Sequence, residues 1–155
     1  MKFAEHCNSV VNSANATLGM IKRTITSRNK DIMVRLYKAL VRPKLEYCVQ
    51  VWRPFLKKDI EKLESVQHRA TKMISACRNM SYSERLKFTG LTTLEDRRDR
   101  GDLIEVFKLV KGLSEMDTKK FFVPSNSTTT RGHKLNYRSL EAGWILGSTV
   151  LVREL

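Results

Sequence analysis

The spacing of apolar residues constrains this chain most: they recur at steps of three and four through residues 3–110. Steps of that size put apolar side chains on one face of an α-helix, so the chain reads as a succession of amphipathic helices. Phe3, Cys7, Val10, Val11, Ala14, Leu18, Ile21 and Ile25 trace the first stripe. Residues 24–29, Thr-Ile-Thr-Ser-Arg-Asn, interrupt it with types that favour turns and caps. A second helix is expected to start between Asn29 and Asp31, with Asp31 at the positive end of the helix dipole. Its stripe is Ile32, Met33, Leu36, Tyr37, Leu40 and Val41. Pro43 withholds an amide donor and is expected to kink or break that helix. Leu45, Tyr47, Cys48, Val51 and Trp52 carry the apolar pattern on to Pro54.

A third helix is predicted over 57–74, with Ile60, Leu63, Val66, Ala70, Met73 and Ile74 on one face. Ser81 and Glu84 read as a capping box that opens a short helix, and Gly90 ends it. Thr92 and Glu95 read as a second box. The longer helix after it has an apolar side of Leu103, Ile104, Val106, Phe107 and Val110, with Gly112 as its C-cap. Gly101 inside it costs about 1 kcal/mol relative to alanine and is expected to mark a close helix crossing. Past Leu113 the periodicity fails. Phe121-Phe122-Val123 is a short apolar patch, and residues 125–130 read as a loop or linker. Trp144-Ile145-Leu146 and residues 149–152 permit a strand without an evident partner, so that tail is expected to be poorly ordered. The fold class that results is mainly α: a small bundle of about four to five helices with an irregular, poorly ordered C-terminal tail.

Charge speaks to partners rather than fold. Lys and Arg number 29 against 16 Asp and Glu, a formal charge of +13. A surplus of this size attracts polyanions such as nucleic acid; the plainer alternative is a basic but inert surface. No apolar run approaches the roughly 20 residues that span a bilayer. Residues 1–6 lack the apolar core of a signal peptide. Cys7, Cys48 and Cys77 are odd in number and widely spaced, which disfavours a disulfide framework or a zinc site and suits buried thiols in a reducing compartment. A nuclear or cytoplasmic protein, neither secreted nor membrane-bound, is the expectation.

Little in the chain suits chemistry. Polymerases and nucleases cluster carboxylates around divalent metal. The densest acidic stretch, residues 95–102, interleaves its acids with arginines, so a salt-laced solvent face is the better reading. His6, His68 and His133 lie far apart, and the glycines stand singly with no phosphate loop. No catalytic residue, metal site or cofactor is expected. Binding is better supported. Lys22, Arg23, Arg28, Lys30, Arg35, Lys38, Arg42 and Lys44 are opposed only by Asp31 between residues 22 and 44. On the third helix Lys58, Lys62, Arg69 and Lys72 share an edge, partly balanced by Glu61 and Glu64. Two basic surfaces on consecutive helices suit a phosphate backbone; a merely solvated helix face is the alternative.

Three stretches agree in order and spacing with a known family. They are residues 36–47 (Leu-Tyr-Lys-Ala-Leu-Val-Arg-Pro-Lys-Leu-Glu-Tyr) followed by Val51-Trp52-Arg53-Pro54; residues 60–72 (Ile-Glu-Lys-Leu-Glu-Ser-Val-Gln-His-Arg-Ala-Thr-Lys); and Tyr82-Ser83-Glu84-Arg85-Leu86 leading to Leu94-Glu95-Asp96-Arg97-Arg98 and Arg100-Gly101-Asp102-Leu103-Ile104. Together they resemble the C-terminal part of reverse transcriptases from LINE-type, jockey-like non-LTR retrotransposons, over roughly residues 2–135. The resemblance implies a helical thumb and post-thumb domain over 1–113, a linker and family remnant over 114–135, and a divergent tail over 136–155. It implies a parent RNA-directed DNA polymerase with an endonuclease and an upstream palm. The family's Tyr-x-Asp-Asp sequence has no match here, so the implied role is non-catalytic: holding an RNA–DNA template–primer duplex by its backbone. The alternative is a cellular protein-interaction module derived from such an element. In it Trp52, Phe55, Tyr47 and Tyr82 would form an exposed apolar patch for the missing palm or another protein.

Overall fold

A computed structural model of the chain describes residues 3–113, 122–124 and 137–139. It is mainly helical: α1 (Phe3–Thr24), α2 (Lys30–Leu36), α3 (Arg42–Glu46), α4 (Val49–Trp52), α5 (Lys57–Lys72), α6 (Tyr82–Thr89) and α7 (Leu94–Val110). A π-helical turn, Tyr37–Val41, joins α2 to α3, and a 3-10 turn, Ser75–Cys77, follows α5. Two short strands, β1 (Phe122–Pro124) and β2 (Tyr137–Ser139), pair antiparallel with Val123 opposite Arg138. The chain divides into two compact units, Met1–Asp99 and Arg100–Leu155. The two strands fall within the stretches expected to form a linker, 114–135, and a divergent, poorly ordered tail, 136–155; the rest of both stretches lies outside the described residues.

The core of the first unit follows the periodicity. Cys7, Ala14, Leu18 and Ile21 of α1 are buried, with Val10, Val11 and Ile25 half-buried beside them. They meet Leu63, Val66, Ala70 and Ile74 of the α5 segment and Met33, Tyr37, Val41 and Leu45 from α2 to α3. Lys62 Nζ reaches Asn8 Oδ1 near the start of α1, so α1 and α5 run side by side in the same direction. Their C-terminal ends therefore sit together.

Local signals placed most boundaries. Asn29 Oδ1 accepts the Asp31 amide at 2.9 Å and caps α2. Ser81 and Glu84 form the expected box: the Ser81 amide donates to Glu84 Oε2 at 2.7 Å, and the Glu84 amide donates back to Ser81 Oγ at 3.4 Å. Gly90 ends α6 with φ +65°. Pro43 does not break its helix. The turn before it widens so that the Arg42 amide donates to the Tyr37 carbonyl, a one-residue bulge that absorbs the missing donor.

Several expectations are corrected. The cap of α7 is Thr93, whose hydroxyl accepts the Asp96 amide at 3.0 Å, not Thr92. Ile32 and Leu40 lie outward, and Val34 takes the inward place on α2. On α7, Leu103, Ile104 and Phe107 are exposed, while Arg98, Asp102 and Leu109 are buried. The arginine-and-acid stretch at 95–102 is thus not wholly a solvent face. A Cβ built on Gly101 meets no described atom within 4 Å, so that glycine marks no close crossing among the described residues. Cys7 and Cys77 are buried, but Cys48 is exposed.

Candidate nucleic-acid interface

The shared end of α1 and α5 forms an open groove of about 500 Å³ lined by Lys22, Arg28, Arg69, Lys72 and Arg78. Asn15, Leu18, Gly19 and Met73 make its floor and walls, and no carboxylate lines it. The construction is local. Lys22 closes the last turn of α1, and Arg69 and Lys72 close the last turn of α5. Cations in those turns face the negative end of each helix dipole. Arg28 Nη2 donates to the Lys22 carbonyl at 2.9 Å, so a guanidinium from the α1–α2 linker caps α1. The Ser75 amide donates to the Arg28 carbonyl at 3.3 Å and ties that linker to the turn carrying Arg78. Arg28 Nη1 and Asn15 Oδ1 are buried without a hydrogen-bond partner among the described residues.

The groove brings together four of the ten cations singled out from sequence: Lys22, Arg28, Arg69 and Lys72. The other six do not line it. Arg23, Arg35 and Lys38 are exposed. Lys30 sits over the Phe88 ring at 4.7 Å. Arg42 pairs with Glu46 at 3.8 Å, and Lys62 with Asp59 at 3.4 Å. Of the two further lysines noted on these helices, Lys44 reaches Ser13 Oγ at 3.3 Å and Lys58 is exposed. Arg78 was missed because it stands alone in a short inter-helix turn. Only the parallel packing of α1 on α5 makes it part of a set.

Arg69 and Lys72 also line a neighbouring hollow with Glu61 and Glu64. Glu64 accepts a short hydrogen bond from the Tyr82 hydroxyl and the Leu94 amide at 2.9 Å. It therefore caps α7. His68 stacks on Tyr82 with ring centroids 3.4 Å apart. Burial, seconded by Arg85, lowers its pKa. On the α7 side, Arg97 takes both oxygens of Glu46 and Arg53 pairs with Asp99. Arg98 is 3% exposed, its two Nη atoms have no hydrogen-bond partner among the described residues, and burial pushes its pKa down.

Chemically, the five cations of the lining suit the groove to an anion. Among the described residues, no group of three or more His, Cys, Asp or Glu side chains could hold a metal ion. No described helix is long and apolar enough to cross a membrane. Five like charges without a lining acid repel one another, and a polyanion would relieve that repulsion. Comparison with protein families, curated proteins and solved structures found no match.

Proposed function

We propose that this chain is a non-catalytic nucleic-acid-binding fragment that grips a phosphate backbone in the Lys22–Arg28–Arg69–Lys72–Arg78 groove. One observation carries the reading: cations from α1, the α1–α2 linker, α5 and the following turn converge on one groove with no opposing carboxylate. Cations without aromatic stacking partners read charge and spacing, not base identity. The ordered sequence motifs supply the specific form. The chain is a thumb and post-thumb piece of a retrotransposon RNA-directed DNA polymerase, and its ligand is the template–primer hybrid. Polymerase chemistry belongs to the parent protein and not to this chain.

Fluorescence anisotropy with an RNA–DNA hybrid tests this over a range of salt. If all five groove cations meet phosphate, log K falls against log salt with a slope of roughly −4.5. Absence of binding at low salt, or binding indifferent to salt, would overturn the reading.

A second reading, a protein-interaction module, is favoured by Tyr47 at 76% and Phe55 at 70% exposure. Two of the aromatics first assigned to that patch leave it: Trp52 is buried and Tyr82 is half-buried. A clean monomer in light scattering argues against this reading.

A further inference from the structure

The α1–α2 linker that supplies Arg28 to the groove also carries a hydroxyl suited to control it. Residues 25–29 adopt no regular secondary structure, and Thr26 among them is exposed. No hydrogen bond within the described residues engages its side chain. In sequence Thr26 is flanked by Lys22 and Arg23 on one side and by Arg28 and Lys30 on the other. Lys22 and Arg28 line the groove. The linker is folded back on α1: the Ile25 amide donates to the Ile21 carbonyl at 3.0 Å, and Arg28 Nη2 reaches the Lys22 carbonyl at 2.9 Å. Thr26 therefore lies in the chain between two groove cations, Lys22 in the last turn of α1 and Arg28 in the linker.

Resting on the nucleic-acid reading above, we propose that Thr26 is a phosphorylation site for a kinase that selects basic flanks, and that its phosphate closes the groove to nucleic acid. Such kinases present carboxylates to substrate cations, so a threonine with cations on both sides in an irregular exposed segment is a matched substrate. Ser75 also adjoins the groove, but its amide is tied to the Arg28 carbonyl at 3.3 Å within a helical turn, which resists the extended pose a kinase needs. Ser27 is less available, since its Oγ accepts the Asn29 amide at 3.5 Å. In the transfer, Thr26 Oγ1 bonds to the γ-phosphorus of a nucleoside triphosphate. The bond from that phosphorus to the β-bridging oxygen breaks. The nucleoside diphosphate leaves with the electron pair, and the hydroxyl proton passes to the kinase's base. The dianion then competes with nucleic acid for Lys22 and Arg28, an intramolecular phosphate occupying the place of an intermolecular one.

The test uses the whole chain, a kinase catalytic subunit of basic-flank specificity and ATP. Mass spectrometry should place one phosphate on Thr26, and Thr26→Ala should abolish it. Losing two cations from the contact reduces the salt slope by nearly 2 and affinity for the RNA–DNA hybrid by tens of fold at about 0.1 M salt. Lys58→Glu is the control. It also changes net charge by about two, but lies roughly 16 Å along α5 from Arg69, beyond one Debye length, and should weaken binding far less. Phosphate absent from Thr26 in the folded chain, when a peptide of residues 20–32 is labelled, overturns the site. Phosphate on Thr26 with unchanged affinity overturns its effect, as does an equal loss in Lys58→Glu. If the unmodified chain fails to bind hybrid while Thr26 is still labelled, the nucleic-acid reading has failed and the modification site stands.

Discussion

The Tyr37 hydroxyl donates a 2.7 Å hydrogen bond to the side-chain carbonyl of Gln67, and both residues are buried. Gln67 Nε2 in turn donates to the Tyr82 hydroxyl and to the Thr92 carbonyl, each at 2.9 Å. One amide thus joins the π-helical turn, α5, α6 and the loop before α7. Gln67→Leu keeps the volume but strands the Tyr37 hydroxyl and the Thr92 carbonyl in the core, a loss of about 2–3 kcal/mol. Tyr37→Phe on its own costs about 1–2 kcal/mol. Because each variant breaks the same bond, the double variant should cost about 1 kcal/mol less than the sum. Urea unfolding of the four proteins measures this; strict additivity would show that Tyr37 and Gln67 are not coupled.

That network also marks where sequence reading stops. The α1 stripe and the Ser81–Glu84 box were legible because each depends on residues within a turn or two. The inward place of Gln67 and Thr71 on α5 was not, since polar residues score as surface until their partners are known. The exposed side of α7 shows the same limit: Leu103, Ile104 and Phe107 formed a proper apolar pattern, yet periodicity does not say which face meets protein. The groove was half legible. Its charges were evident, but which cations share it depends on α1 and α5 running parallel, and that relation spans about 50 residues of intervening chain.

The groove makes a positional prediction. Lys22→Gln, Arg69→Gln and Arg78→Gln should each lower the magnitude of the salt slope for hybrid binding by about 0.9. Arg35→Gln and Lys38→Gln remove the same charge from exposed sites that do not line the groove. They should change the slope by less than half as much. Equal effects in both sets would point to diffuse attraction by the net charge of +13 and not to a site.

Protonation of His68 should oppose folding. Its pKa is lowered from 6.5 mainly by burial, with Arg85 next; Arg85 Nη2 lies 3.4 Å from its Nδ1. The unfolded chain therefore takes up this proton first as pH falls. The stability tied to neutral His68 is complete above pH 6.5 and declines as pH drops through that value toward the folded-state midpoint. An NMR titration should place the ring's midpoint below 6.5, and His68→Gln should flatten the stability profile in that window. A midpoint above 6.5 would contradict the packing against Tyr82 and Arg85.

Thiol reactivity should separate the cysteines. Cys7 and Cys77 are buried, and burial raises both of their pKa values. Cys48 is exposed at φ +49°, in the left-handed region. An aromatic disulfide reagent added to native protein should modify Cys48 promptly, whereas Cys7 and Cys77 wait for local opening. In urea all three should react together. Prompt reaction of Cys7 would mean that the start of α1 is not packed on α5 in solution.

Two glycines should respond to alanine with opposite signs. Gly90 caps α6 at φ +65°, and a Cβ there meets no described atom within 4 Å. Gly101 has the same free space but sits inside α7 with helical backbone. Among the described residues nothing crowds either position, so the comparison isolates the backbone. Gly90→Ala must force an L-residue into the left-handed region and should destabilise by about 1–2 kcal/mol. Gly101→Ala removes a flexible residue from a helix interior and should stabilise α7 by about 1 kcal/mol. Thermal melts followed by far-ultraviolet circular dichroism should therefore move down for the first variant and up for the second. A rise for Gly90→Ala would mean that α6 does not end in a left-handed cap. A fall for Gly101→Ala would mean that something packs against that glycine after all, restoring the close crossing its position in α7 first suggested.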